Sequence, residues 1–313
     1  LKRRTQLVQI WDEIENQLNN PKFWAFISNE SLSKYSNKIE YLFDIITKKK
    51  PGEKDPLYSF IHFFEEKADS LWSKWIEVEE IYRSLAYWYS NKNLYHKIGY
   101  LICSKIEIGH LMDLKKNNNK NVFENKINEL IAEKIPEIWE ELSYDNRSEH
   151  EKITNVLLLT NIELTRSNRN SNEFFPFDMY KNISKSLEHI HAQNIEDIDV
   201  NKKEQWINWL EVHAKVLLNI ATDRKKAEKV IREVEEIIPK IVYEDFKRLS
   251  EIILRLIPSE EINESEYLHK IQNMALLGHS ENASLSNSIF EVKRRKIIEM
   301  DKAGAFIPLA TKR

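Results

Sequence analysis

Five glycines and eight prolines in 313 residues leave few places where this chain can reverse tightly, and that scarcity limits its fold more than any other feature. Hairpin sheets depend on residues that accept positive φ or a preset turn. Leu, Ile, Glu and Lys, which sustain helices, are abundant instead. The expectation is a mainly α protein, more than half helical, with strand confined to the neighbourhoods of 186–191, 270–277 and 305–309. At 42% hydrophobic and 31% charged residues, the chain can bury one large core or two smaller ones.

The single cysteine, Cys103, excludes an intramolecular disulfide framework and a multi-cysteine zinc site. No apolar run approaches the roughly 18 to 20 residues needed to cross a bilayer, and no signal-peptide pattern opens the chain. A cytoplasmic setting without a membrane partner is expected. The first residue is Leu1 rather than methionine, as expected for a piece of a longer polypeptide. A net charge of −3 is not the balance of a protein that coats nucleic acid through bulk electrostatics. Nucleic-acid contact would have to be local, at "LKRR" or at "EVKRRKI" (291–297).

Residues 1–165 carry successive helical patterns, such as Leu7, Ile10, Trp11, Ile14 and Leu18, and then Trp72, Trp75, Ile76, Tyr82, Leu85 and Trp88. These are read as core stripes. Breaks are expected at "TKKKPGEKDP" (47–56), at "KKNNNKN" (115–121) and before "ITNVLLLTNIEL" (153–164), a buried helix. The pattern changes at "RSNRNSNEFFPFDMY" (166–180), which predicts a domain boundary near 165/166. "FFPFDMY" is read as a plug in the core beneath any site that follows. Helices are then predicted around 204–220, from Arg224 to Ile238 and from Tyr243 to Leu256. A short apolar strand, a polar loop and a helix starting near Ser286 complete the chain.

Within the second half, "KSLEHIHAQN" (185–194) gathers Glu188, His189, His191, Gln193 and Asn194. Two extended segments closed by a helix, with Glu188 and His189 on the first and Asn282 on the loop before the helix, are the parts of a one-metal nuclease site. A hard divalent cation that polarises a phosphate takes oxygen ligands and open positions, which suits Mg²⁺ or Mn²⁺. Glu188 and Asn282 supply such oxygens. A base that activates water is commonly a histidine with a pKa near neutrality, the role open to His189. Adjacent residues on a regular strand point to opposite faces, so Glu188 and His189 converge only if the strand ends there.

"SLEHIHAQN", then "IQNMALL", an asparagine nine residues beyond Asn273, and "SNSIFEVKRR" together resemble the HNH, or ββα-metal, nuclease core. More narrowly, they resemble its version in GmrSD-type modification-dependent restriction endonucleases, which pair an N-terminal nucleotide-hydrolysing domain with a C-terminal HNH-like domain. "WDEIENQLNNPKFWAFIS", "IEYLFDII" and "LYHKIGYLI" are similar to the linking region of those proteins. The resemblance implies a helical linking domain over 1–165 and an HNH-like nuclease domain over 166–313, with a helical insertion at about 200–262. It makes Glu188 the first metal ligand, His189 the general base, Asn282 the second ligand and Asn273 the residue that ties the strands and orients the base. His191, His279 and Asn287 remain alternatives for the second-ligand or positioning role. The last helix is expected to bring Lys293, Arg294 or Lys296 to the phosphate path.

The chain departs from the family in carrying Glu where the first ligand is commonly Asp or His, and Ala192 where a proline often stands. The implied activity is metal-dependent cleavage of DNA, plain or modified, in restriction or anti-phage defence. NTP would be handled only by the nucleotide-hydrolysing domain absent from this chain. The alternatives are an inactive HNH-fold nucleic-acid-binding or regulatory module, and an RNA-cleaving toxin.

Overall fold

The structure is a computed structural model and describes residues 2–50, 52–64, 68–191, 201–257, 267–285 and 288–313. Ala192, Gln193, Asn194, Ser286 and Asn287 lie outside the described residues. The protein is mainly helical, and its strands among the described residues form one two-stranded sheet. The chain divides into two compact units, one made of 1–137 and 158–183, the other of 138–157 and 184–313.

The first unit contains α1 (Lys2–Leu18), α2 (Pro21–Ile27), α3 (Ile39–Ile46), α4 (Tyr58–Phe64), α5 (Ala68–Ser90), α6 (Lys92–Cys103), α7 (Ile108–Lys116) and α8 (Lys120–Glu133). Its helix ends follow local chemistry. Asn20 accepts from the amide of Lys22 at 2.9 Å ahead of Pro21, and Asn119 accepts from Val122 at 3.1 Å to open α8. Each side chain satisfies an amide that the helix itself leaves unpaired. Ile14, Leu18, Leu85 and Trp88 are buried as the periodicity predicts, but Trp72 and Ile76 are 48% and 41% exposed. The stripe at 72–88 therefore joins the core only at its C-terminal end.

The helix α9 (His150–Ser167) gives residues 150–157 to the second unit and 158–167 to the first. The boundary predicted near 165/166 thus falls inside a continuous helix. After α9 the chain stays in the first unit through α10 (Phe177–Asn182). Phe177 stands 5.2 Å from Tyr95, ring centre to ring centre, and a Cβ on Gly99 of α6 would come 2.1 Å from the Phe177 ring. Only glycine admits that approach. "FFPFDMY" therefore fills the core of the helical first unit, a correction to its expected place beneath the site.

In the second unit, β1 (Lys185–His189) and β2 (Met274–Gly278) pair antiparallel, with Lys185 opposite Gly278 and His189 opposite Met274. Between them come α11 (Lys203–Ile220), α12 (Arg224–Ile237) and α13 (Tyr243–Leu256). These three helices occupy the span expected for the insertion and have their own core, including Trp206, Leu210, Leu217, Val230, Phe246 and Ile253. After β2 come α14 (His279–Leu285), α15 (Phe290–Lys302) and α16 (Leu309–Lys312). Leu277, Leu285 and Ile307 bury the far side of β2 against this end of the chain. The strand expected at 305–309 does not form. Pro308 has no N–H to give to a ladder, and the Leu276 carbonyl accepts instead from the Thr311 hydroxyl at 2.9 Å.

Candidate active site around the end of the first strand

The site is built where β1 stops. Beyond His189 the ladder is replaced by side-chain bonds from Asn273, which immediately precedes β2. Its backbone oxygen accepts from Ile190 at 2.8 Å, its Oδ1 accepts from the amide of His191 at 2.9 Å, and its Nδ2 donates to the Leu268 carbonyl at 2.8 Å. Asn273 is buried, and a buried amide with its groups paired holds a turn in one geometry. One residue thereby ties the end of β1 to the segment leading into β2.

A second clamp comes from the segment before α9. The amide of Tyr144 donates to the His269 carbonyl at 2.7 Å, that of Ile271 donates to Leu142 at 3.0 Å, and Ser143 bridges Lys270. Lys270 adds an ion pair with Glu141 at 2.5 Å. These bonds carry Tyr144 and Asp145 up to His189 and His269. The Tyr144 ring stands 4.8 Å from His189 edge-on and stacks on His150 at 4.5 Å, while His189 meets His269 edge-on at 5.6 Å. His269 Nδ1 lies 3.1 Å from Asp145 Oδ1. Beside this array a cavity of about 260 Å³ is lined by Tyr144, His150, Thr154, Lys185, Ser186, Leu187 and Leu276.

Burial is the main cause that pushes the His189 pKa down, to about 4, with His269 and Lys293 adding in the same direction and Asp145 opposing. At neutral pH its imidazole is uncharged, and with a pKa well below the near-neutral value expected from the sequence it is a weaker base than that reading supposed. Glu188 stands in a different setting. Its Oε1 is 2.6 Å from Lys293 Nζ, an ionic contact outside hydrogen-bonding angles, and the two side chains are only 13% and 5% exposed. Burial raises the Glu188 pKa, and the positive charge of Lys293 beside it pulls it back. Lys293 also donates to the His189 carbonyl at 2.6 Å. Its ammonium thus fastens α15 to both the carboxylate and the strand end.

Asn282 lies on α14, a short helix where the sequence predicted a loop. Its Nδ2 donates to Ser186 Oγ at 2.5 Å, and Ser186 and Glu188 share a face of β1, two residues or roughly 6.6 Å apart along the strand. Glu188 and Asn282 offer hard oxygens of the kind Mg²⁺ or Mn²⁺ takes. They are a pair of donors and not a cage. Among the described residues no three His, Cys, Asp or Glu side chains gather as a metal group, and Lys293 now answers the Glu188 charge. The donor set fits the ion in kind, provided that the ammonium gives way.

The remaining predicted residues are placed as follows. His191 is exposed and stacks on Phe290 at 5.4 Å. His279 is exposed at the start of α14, where its amide donates to the Ser184 carbonyl at 2.6 Å. Asn287 lies outside the described residues. Of the cations expected on the phosphate path, Lys293 is 4% exposed and turned into the ion pair, because a buried carboxylate draws the nearest cation. Arg294 forks onto Glu291 at 2.8 and 3.0 Å. Lys296 is half-buried, and burial lowers its pKa. Sequence reading missed Tyr144, Asp145, His150 and His269. They sit far along the chain from His189, in segments with no recognisable spacing, and meet it only through the backbone clamp.

No family model, no curated protein and no solved structure matches the chain. Among the described residues no helix is long and apolar enough to cross a membrane.

Proposed function

We propose that the second unit is a phosphodiester-cleaving domain of the HNH kind, an endonuclease acting on plain or modified DNA, with His189 as general base. The observation that carries this reading is an uncharged histidine held at the end of a short strand by bonds on both flanks, from Asn273 beyond it and from Lys293 to its own carbonyl. A base fixed in this way accepts the proton of a water as the water attacks phosphorus, and positioned proton transfer of this type contributes about 10² to 10⁴ in rate. Asn273 holds the backbone at the base in place. A divalent cation, Mg²⁺ or Mn²⁺, would be held by Glu188 and Asn282 and would supply charge stabilisation at the phosphate. Arg294 and Lys296 would meet the phosphate backbone locally, since the net charge does not favour bulk attraction.

In this reading the chain is the nuclease portion of a GmrSD-like defence protein that works in the cytoplasm. The nucleotide-hydrolysing domain is a partner outside this chain, and the chain alone neither binds nor hydrolyses NTP. One observation favours a second reading. The closed Glu188–Lys293 pair is what a nucleic-acid-binding or regulatory module would retain after losing its metal. Cleavage of plain plasmid, modified plasmid and structured RNA by wild type and His189→Ala, with added Mn²⁺, separates the readings. His189-dependent nicking of DNA supports the endonuclease, and His189-dependent cleavage confined to RNA points to a toxin. Binding without cleavage, together with no Glu188-dependent uptake of Mn²⁺, sinks the enzyme.

A further inference from the structure

We propose that His269, held by Asp145, is the general acid of this site and hands a proton to the oxygen that leaves phosphorus. The idea rests on the nuclease reading and extends it to a residue that sequence alone does not single out.

Four observations converge. The His269 ring stands 5.6 Å from the His189 ring and at 88° to it, so the two imidazoles can reach two oxygens of one phosphate at hydrogen-bond distances of roughly 2.6 to 3.2 Å. Asp145 Oδ1, 3.1 Å from Nδ1, orients the ring as a carboxylate orients a catalytic imidazole, so that Nε2 would be the nitrogen that gives the proton. His269 is fixed through its own backbone, whose carbonyl accepts from Tyr144 at 2.7 Å, and through the neighbouring Lys270–Glu141 pair. Finally, the His269 side chain is 30% exposed and that of Asp145 67% exposed, so substrate can reach the pair from solvent. Among the described residues, Asp145 and Lys293 are charged groups that act on His189, and Asp145 also faces His269.

The chemistry balances. Water attacks phosphorus as His189 takes its proton, and a new P–O bond forms. The bond from phosphorus to the leaving sugar oxygen breaks with its electron pair on that oxygen, which receives the proton of protonated His269. One water is consumed. The proton gained by His189 and the proton lost by His269 are exchanged with solvent to restore the resting state.

An oligonucleotide with sulfur in place of the bridging leaving oxygen tests this directly, since a thiolate, with a pKa near 8.5 for a simple thiol, leaves without protonation. On the ordinary substrate His269→Gln is expected to lose about 10²-fold or more in rate, and on the sulfur substrate less than about 10-fold. Asp145→Asn, at an exposed position, is the variant whose loss cannot be blamed on unfolding. It should lose about 10-fold on oxygen and nearly nothing on sulfur. Equal losses on both substrates, or none in either variant, overturn the acid role and leave the nuclease reading standing. Wild type inert on both substrates overturns the two together.

Discussion

The insertion helices and the end of β1 each bury a histidine, and in each the pKa falls to about 4, chiefly through burial. The two are otherwise unlike. His213 on α11 is completely buried. Its Nδ1 meets the Trp209 carbonyl one turn back at 2.6 Å, and its Nε2 accepts from the amide of Ile289 at 3.2 Å. His96 in the first unit repeats the device, with Nδ1 2.6 Å from Lys92 O and Nε2 accepting from Phe175 at 3.1 Å. Both nitrogens of these two rings are spent on backbone. His189 is surrounded instead by groups that titrate or stack, namely Tyr144, His269 and Lys293. A low pKa therefore reports burial, and the partners report purpose.

The sharpest way to break this contrast is to remove each ring. His189→Ala should slow cleavage by about 10²-fold or more while leaving the unfolding midpoint nearly unchanged. A variant that unfolds instead would put His189 with His213 as a structural residue. The next largest effect is expected at Lys293, where methionine strands a buried carboxylate. We expect a loss of about 3 kcal/mol in urea unfolding, mostly recovered when Glu188→Gln is added. An unchanged midpoint in the single variant would mean that the pair opens freely in solution.

His213→Ala should cost about 2 kcal/mol, because it leaves the Ile289 amide without its acceptor and opens a cavity beside Trp209. Its cleavage rate per folded molecule should match wild type. If activity falls with stability intact, the helices of the insertion take part in the chemistry and the contrast fails.

A further effect is spread over pH. His96, His189 and His213 all have folded pKa values depressed from 6.5 to about 4. Their contribution to stability is fully present above 6.5 and is lost as pH falls toward 4, because the unfolded chain binds protons that the folded chain refuses. Each adds at most ~1.4 kcal/mol per pH unit across that window, and His189, the least enclosed of the three, adds less. Thermal unfolding between pH 7 and 4.5 should show this slope, and His213→Ala should flatten it. A slope unaffected by that change would assign the acid sensitivity to carboxylates.

The sequence by itself determined the helical class, the three helices between the strands and the places of β1 and β2. Each of these rests on local information: scarce turn residues, a 3.6-residue apolar period, and side chains that close on neighbours two to four positions away. Asn273 was legible only through the family resemblance, since its bonds to Ile190 and His191 reach across more than 80 residues. The direction of Lys293 was not, since whether a helix turns its lysine to solvent or onto a carboxylate depends on how α15 packs. Nor was the place of "FFPFDMY", whose aromatic side chains fit either unit until Gly99 admitted Phe177. The tertiary structure alone decided that Tyr144, Asp145 and His269 stand at His189, because their meeting is made by backbone bonds between residues 142–144 and 269–271. Such long-range pairing depends on loop closure and packing, which no residue spacing records.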